Sequence, residues 1–422
     1  MKFIDAKDNN LYMAVGSSII VISYDSLSRT GDSIDGSIGV IDSRSTNNAR
    51  ILTIAVNESL DYILASYSDK TVRCWSIIRQ ELLGVSSFKK QATTLECSSF
   101  ERSFLDNTVL DHDKKALNVL LASDKAGDIY ASELPLLTKQ VLINRHTASV
   151  ITDMALCKSN LATSDRDEKV RISHFPDVEN IQSYCLGHTS VVSSVCFVPL
   201  VNNGSETSLL LSTGWDRKLI LWDPLDGTVL CSILCQDNGI EAEMIDSEQV
   251  DLAECAVEES DHDDGDIPNK VNITEEQDEA DMEDPEAVDA KQYDENKAGR
   301  YPSKAIAAVL FSKSVVAVRF KQSSTVKLYV IESNIDCDSR AMYSMRELPG
   351  LDLRLRGKPV DITFSCSSQQ LIALLPPPIG LQIFQFSPTL QVHEICVNRS
   401  IVDRIITCSG TCYFVVIRFR NQ

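Results

Sequence analysis

The sequence predicts an all-β chain: a seven-bladed β-propeller interrupted by a disordered acidic insertion. Three observations carry that expectation. Short β-branched runs come in groups of four, separated by turn residues. The groups recur, with the histidines that open two of them, His146 and His188, standing 42 residues apart. Between residues 236 and 300 this pattern is replaced by a run of carboxylates. Self-similarity at about 40–45 residues, opened by Gly187-His188 and closed by Trp222-Asp223, is the signature of four-stranded blades arranged around an axis.

In chain order, residues 11–24 (LYMAVGSSIIVISY) read as two short strands about a Gly-Ser-Ser break, and residues 25–48, rich in Ser, Gly, Asp and Asn, as a long loop. ILTIAV, YILASYSD, KTVRCW and ELLGVSSF then form the first complete unit. Residues 93–134 form a second around NVLLASDKAGDIYAS, residues 146–183 a third around LATSDRDEKVRIS, and residues 188–234 the fourth and clearest. Beyond the insertion, AIAAVLFS, SVVAVRFK, TVKLYVIES and YSMREL give a fifth unit, and PVDITFS, LIALLPPP, LQIFQF and LQVHEIC a sixth. SIVDRIITC and CYFVVIRF supply two further strands, so the seventh blade is expected to close with residues 11–24, leaving no open sheet edge. The organisation expected is residues 1–235 for blades one to four plus amino-terminal closing strands, 236–303 for the insertion, and 304–422 for blades five to seven.

Charge sharpens the division. The formal net charge is −20, yet 24 of the 60 acidic and 4 of the 40 basic residues lie within 236–300, leaving 36 of each elsewhere. The folded part is therefore neutral, and the acidic segment, poor in apolar and aromatic residues, cannot offset its ordering entropy. The 13 cysteines are scattered without a CxxC pair, which fits free buried thiols in a reducing compartment rather than a disulfide framework or a zinc site. No apolar signal region opens the chain and no apolar run is long enough to span a bilayer, so a soluble intracellular protein without membrane partners is expected.

The chemistry-bearing residues fall at blade-defining places. His188, Ser212, Asp216 and Trp222 are spaced to form a buried hydrogen-bond network, and the third unit offers His146, Thr163 and Asp167, with Ser173 where tryptophan would stand. The first unit has Asp69 and Trp75 but Ala65 in the hydroxyl position. A His-Ser-Asp set that repeats with the blade maintains the fold rather than catalysing. No glycine-rich phosphate loop, HExxH or Gly-x-Ser-x-Gly motif occurs, so no catalytic, cofactor-binding or metal site is expected. Basic residues are dispersed without aromatic interleaving, which argues against tight autonomous RNA binding. What the network leaves over is the charged turn Asp165-Arg166-Asp167-Glu168-Lys169 and, in the following strand, Arg171.

SDRDEKVRIS at 164–173, followed by SYCLGHTSVVSSVCFVP and LLLSTGWDRKLILWD, resembles the WD-repeat non-catalytic subunit of tRNA (guanine-N(7)-)-methyltransferase, and LLASDKAGDIYA is similar to another blade of that family. The resemblance spans about residues 119–234. It implies a heterodimer in which a catalytic subunit carries S-adenosylmethionine while the propeller holds it active on tRNA, itself binding no cofactor and touching tRNA through the complex. It assigns Lys169 and Arg171 to ion pairs with the partner, supported by Asp165 and Arg166. It also implies a nuclear location, with the cytoplasm open. Arg145, where glycine usually precedes the histidine, and the acidic insertion depart from the family. A substrate receptor or scaffold of another complex, such as a ubiquitin ligase, is the alternative.

Overall fold

The computed structural model describes residues 2, 4–7, 10–24, 33–34, 36–42, 49–57, 62–100, 117–146, 149–202, 205–235, 301–335, 341–348, 352–376 and 380–397. The chain divides into two compact units. One, residues 246–299, lies outside the described residues, as do residues 236–245 and 300 of the expected insertion, whereas its last residues are described and the strand Pro302–Leu310 begins among them. The other holds all the described strands, and among the described residues the regular structure is entirely β.

Those strands form seven sheets of consecutive antiparallel strands. The amino-terminal blade spans residues 4–42 and the Trp75 blade 51–87. The Asp124 blade spans 92–145, the His146 blade 151–186, the His188 blade 192–234 and the Lys327 blade 302–354. The Asp361 blade spans 361–397. Apolar residues on both faces of each sheet build seven hydrophobic cores, one at every junction between successive blades. Leu64 and Val72 meet Leu120 and Ala122 at one, and Val170 and Ile172 meet Leu210 and Ile220 at another. The ring closes where Ile4, Leu11 and Met13 pack on Ile372, Leu374 and Leu381. Such burial contributes about 25 cal/mol per Å² of apolar surface, and a closed ring leaves no blade face without a partner.

The closure corrects the expectation of a blade shared between the termini. Among the described residues, Ile4–Lys7, Asn10–Val15, Ser18–Tyr24 and Gly36–Asp42 make up the amino-terminal blade by themselves. The fourth of these lies in the stretch that composition marks as a loop. Its GSIGVID pairs with Ser18–Tyr24 over seven residues, so tertiary pairing overrides a weak local preference. Ser33–Ile34 pairs in parallel with the outer strand Val392–Val397 of the Asp361 blade. The expected closing strands at 400–408 and 412–419 lie outside the described residues.

One local device repeats. The turn between the second and third strands places Lys70, Gly127, Glu168 and Arg217 at φ of 65°, 82°, 68° and 67° in four successive blades. The carbonyls of Lys70, Gly127 and Arg217 accept from Phe88, His146 and Cys235 in the segment leading to the next blade. These turns and the inter-blade loops therefore share one rim, and the charged turn belongs to it.

Candidate functional site

In the His188 blade the network is complete. His188 Nδ1 lies 2.9 Å from Asp216 Oδ2, and Nε2 lies 2.7 Å from Ser212 Oγ. Trp222 Nε1–H donates to the same Ser212 oxygen at 2.7 Å. A carboxylate only accepts, so Nδ1 carries a proton, and Ser212, already accepting from Trp222, can direct its own proton to Nε2. Burial pushes the Asp216 carboxyl up, but His188 and the amides of Thr189 and Lys218 outweigh it and hold the carboxyl below the usual range. Gly187 lets the chain pass over the indole, since a Cβ there would sit 2.9 Å from Trp222 Cη2.

The His146 blade solves the same problem with a different aspartate. His146 Nε2 lies 2.8 Å from Thr163 Oγ1, but Nδ1 meets Asp165 Oδ2 at 3.0 Å. Asp165 is buried, and its other oxygen accepts from the amides of Asp167 and Lys169 at 2.9 and 3.1 Å. The assignment of Asp167 to this network and of Asp165 to partner contact is thus corrected, because Asp167 is exposed. Register supplies the reason. Asp165 pairs with Ile151 as Gly214 pairs with Val192. In the His188 blade glycine leaves that place to Asp216, whose Oδ1 lies 3.0 Å from where a Gly214 Cβ would be. In the His146 blade the strand-end residue is itself the carboxylate. Asp124 occupies the same place in its own blade (paired with Ala92), its Oδ1 accepting from Ala126 and Asp128 amides. SDKAGD, with no aspartate at the later position, held that signal in the sequence.

The Trp75 blade also replaces the missing hydroxyl. Tyr67 OH accepts from Trp75 Nε1 at 3.2 Å, and the Arg73 guanidinium, 4.1 Å from the Tyr67 ring centre, pairs with Asp69 at 2.6 Å. Tyr67 escapes a search for Ser or Thr because it sits at the strand end, not at Ala65.

The residues outside the networks form a surface. Arg166 is half-buried and its amide donates to the Val150 carbonyl. Lys169 is exposed. Arg171 is not surplus to the fold, as its sequence position suggests, because its Nη2 donates to Asn144 Oδ1 of the Asp124 blade at 2.7 Å. Burial weakens this guanidinium's hold on its proton, against the pull of Tyr184, and its Nε–H has no acceptor among the described residues. Across the sheet Lys169 pairs with Leu186 and Arg171 with Tyr184, so all four lie on one face while Val170 and Cys185 are buried on the other. Tyr184 and Leu186 are 46% and 63% exposed, a large apolar exposure for one outer strand. Residue alternation within IQSYCL could have shown that two of its apolar side chains point away from the core.

Among the described residues no group of His, Cys, Asp and Glu is suited to a metal ion, and no helix long and apolar enough to cross a membrane occurs. A channel of about 580 Å³ runs between the inner strands, lined by Lys2, Glu96, Asp153, Lys304 and Arg319 among others. Both lysines are ion-paired, Lys2 with Asp5 at 2.9 Å and Lys304 with Asp361 at 2.5 Å, and the Arg319 guanidinium donates to the carbonyls of Pro359 and Val360.

Residues 139–275 match the family described as the tRNA methyltransferase TRM82 WD40 domain. The match covers about a third of the chain. It contains both histidine networks and the Lys169–Leu186 surface. Relatives include the non-catalytic subunit wdr4 of tRNA (guanine-N(7)-)-methyltransferase from Dictyostelium discoideum, 26% identical over 205 residues, 46% of this chain and 42% of that protein. The subunit TRM82 of the same enzyme from Eremothecium gossypii is 37% identical over 132 residues, covering 30% and 27%, and WDR4 of Mus musculus is 34% identical over 113 residues, covering 26% of each. The match to the TRM82-type relatives thus spans less than half their length. A chain in the crystal structure of a mitotic checkpoint complex superposes with a TM-score of 0.56 over 89% of this chain and 84% of its own at 11% identity, a likeness of fold alone.

Proposed function

We propose that this chain is the non-catalytic scaffold subunit of a heterodimeric tRNA (guanine-N(7)-)-methyltransferase, docking its catalytic partner on the face that carries Lys169, Arg171, Tyr184 and Leu186. One observation supports the reading most: two cations and two exposed apolar side chains share one face of the outer strands inside the span that matches the TRM82 family. Exposed apolar area supplies affinity, and the cations fix register against carboxylates, with Arg171 held rigid by Asn144 so that less entropy is lost on pairing. S-adenosylmethionine and the transfer itself belong to the partner, while this chain would hold it in an active arrangement on tRNA. The fold-maintaining role of both histidine networks supports a non-catalytic role.

The test is co-expression with a candidate catalytic subunit, followed by copurification and methyl transfer to tRNA. Lys169→Glu combined with Leu186→Asp should abolish copurification and lower methyl transfer while leaving the melting curve of the propeller unchanged. Retained copurification by that variant, or full activity of the catalytic subunit without this chain, would overturn the proposal.

A further inference from the structure

On the same rim, one blade beyond the charged turn, three side chains distant in sequence converge. Trp215, in the turn of the His188 blade, lies 4.8 Å from the ring of Tyr301, their planes 37° apart. Lys321 Nζ stands 5.6 Å from the Trp215 ring centre and 5.2 Å from that of Tyr301. The backbone fixes this geometry: the Trp215 amide donates to the Val191 carbonyl, and the Lys321 amide to the Tyr301 carbonyl. Arg217 follows two residues after Trp215. Of the three tryptophans, Trp75 and Trp222 are buried at 5% and 0% exposure and donate their Nε1–H within blade networks. Trp215 is 44% exposed and no blade network uses it.

We propose that Trp215 and Tyr301 form a stacking platform for an unpaired base of RNA, with Lys321 and Arg217 drawing the adjoining phosphates. An unstacked base gains by lying on an aromatic ring whatever its identity, and a phosphate-bearing strand is the ligand whose charge complements cations set beside such rings. The platform deepens the proposed function, since a scaffold that also touches RNA would orient it for the partner. Its rim position, one turn from the docking face, is compatible with one RNA spanning both subunits. A single platform is modest in affinity, in keeping with the dispersed basic residues elsewhere.

The full chain alone, titrated at low salt with a fluorescein-labelled single-stranded RNA oligonucleotide and with tRNA, tests it independently of any methyltransferase. Binding should raise the anisotropy of the labelled RNA and quench the intrinsic fluorescence that Trp215, as the exposed indole, contributes. Trp215→Ala should weaken binding about fivefold or more, the stacking of roughly one base, whereas Trp215→Phe should stay within about twofold of the native chain. Lys321→Ala should weaken it and flatten its salt dependence. The proposal falls if the native chain does not bind, if Trp215→Ala binds as the native chain does, or if poly-glutamate of matched charge quenches as well as RNA, which would make the platform a site for acidic peptide. Failure of the native chain to copurify with a catalytic subunit, alongside intact Trp215-dependent RNA binding, would sink the docking proposal and leave this one standing.

Discussion

His146 Nδ1 is held 3.0 Å from Asp165, not from Asp167, which lies exposed two residues further along the same turn. Removing the buried carboxylate would orphan the imidazole and two backbone amides, whereas removing the exposed one orphans nothing buried. Asp165→Ala should cost about 2–3 kcal/mol, the scale of a hydrogen bond to a charged group. Asp167→Ala should stay within about 0.5 kcal/mol. Equilibrium urea unfolding of the two variants measures both, and equal losses would contradict the geometry.

The aspartates of these turns differ in sign. Burial alone pushes a carboxyl up, as it does at Asp124, where the amides of Ala126 and Asp128 donate and no histidine does among the described residues. At Asp165 and Asp216 the histidine and the amides reverse that effect and hold the folded carboxyl below the usual 3.8. A depressed folded value gives stability that is fully present above the unfolded value and lost as pH falls through the folded one. Asp165 and Asp216 therefore protect the fold down to about pH 4, and their contribution disappears below it. Asp124 works the other way, its charged form opposing folding at neutral pH. Asp124→Asn, keeping the acceptor oxygen, should be neutral or stabilising at pH 7, while Asp165→Asn and Asp216→Asn should destabilise at pH 7 and lose that effect in acid. Melting curves between pH 3 and 7 read the crossover.

Gly187 and Trp222 should prove coupled. A methyl at Gly187 would meet Trp222 Cη2 at 2.9 Å, so Gly187→Ala should cost about 1–3 kcal/mol through overpacking. Trp222→Phe removes the obstructing ring and the donor to Ser212, and should cost about as much. The double variant should be less unstable than the sum, because the phenyl ring vacates the space the methyl needs. Additive losses in a double-mutant cycle would show that the clash is relieved elsewhere.

Much of this was legible in the sequence because it is written in repeats. Gly187-His188, Ser212, Asp216 and Trp222 fall at the places that hydrogen bonding in a blade requires, and the structure brings them together. The third-unit aspartate was misassigned because spacing from Thr163 is ambiguous between two carboxylates, and only pairing register decides between them. Tyr67 was missed since it reaches its tryptophan from another strand position. Gly36–Asp42 became a strand through a partner that local composition does not reveal. The Trp215–Tyr301 pair was out of reach altogether, its members being separated by the acidic insertion.

Lys169 and Arg171, though two residues apart on one strand, should separate in their effects. Lys169 is exposed and its side chain makes no hydrogen bond or ion pair among the described residues, so Lys169→Ala should leave stability within about 0.5 kcal/mol while weakening partner capture. Arg171 carries two loads. Its Nη2 ties the His146 blade to Asn144 at 2.7 Å, and that tie holds the guanidinium where a partner's carboxylate could meet its fork. Arg171→Ala should therefore cost about 1–2 kcal/mol of stability as well as binding, since Asn144 Oδ1 keeps only the Arg145 amide and the inter-blade tie is lost. Arg171→Lys keeps the charge but not the fork and should recover only part of either. Asn144→Ala distinguishes the loads: it removes the Nη2 acceptor and the Asn144–Val178 bond but leaves the guanidinium in place with Nη1 on the Arg145 carbonyl, so stability should fall with Arg171 still present, and partner capture should weaken only by the cost of re-ordering the side chain. Thermal melts paired with copurification on the same four variants read both quantities. Equal loss of partner capture in Asn144→Ala and Arg171→Ala would mean that Arg171 acts on the partner only through the fold.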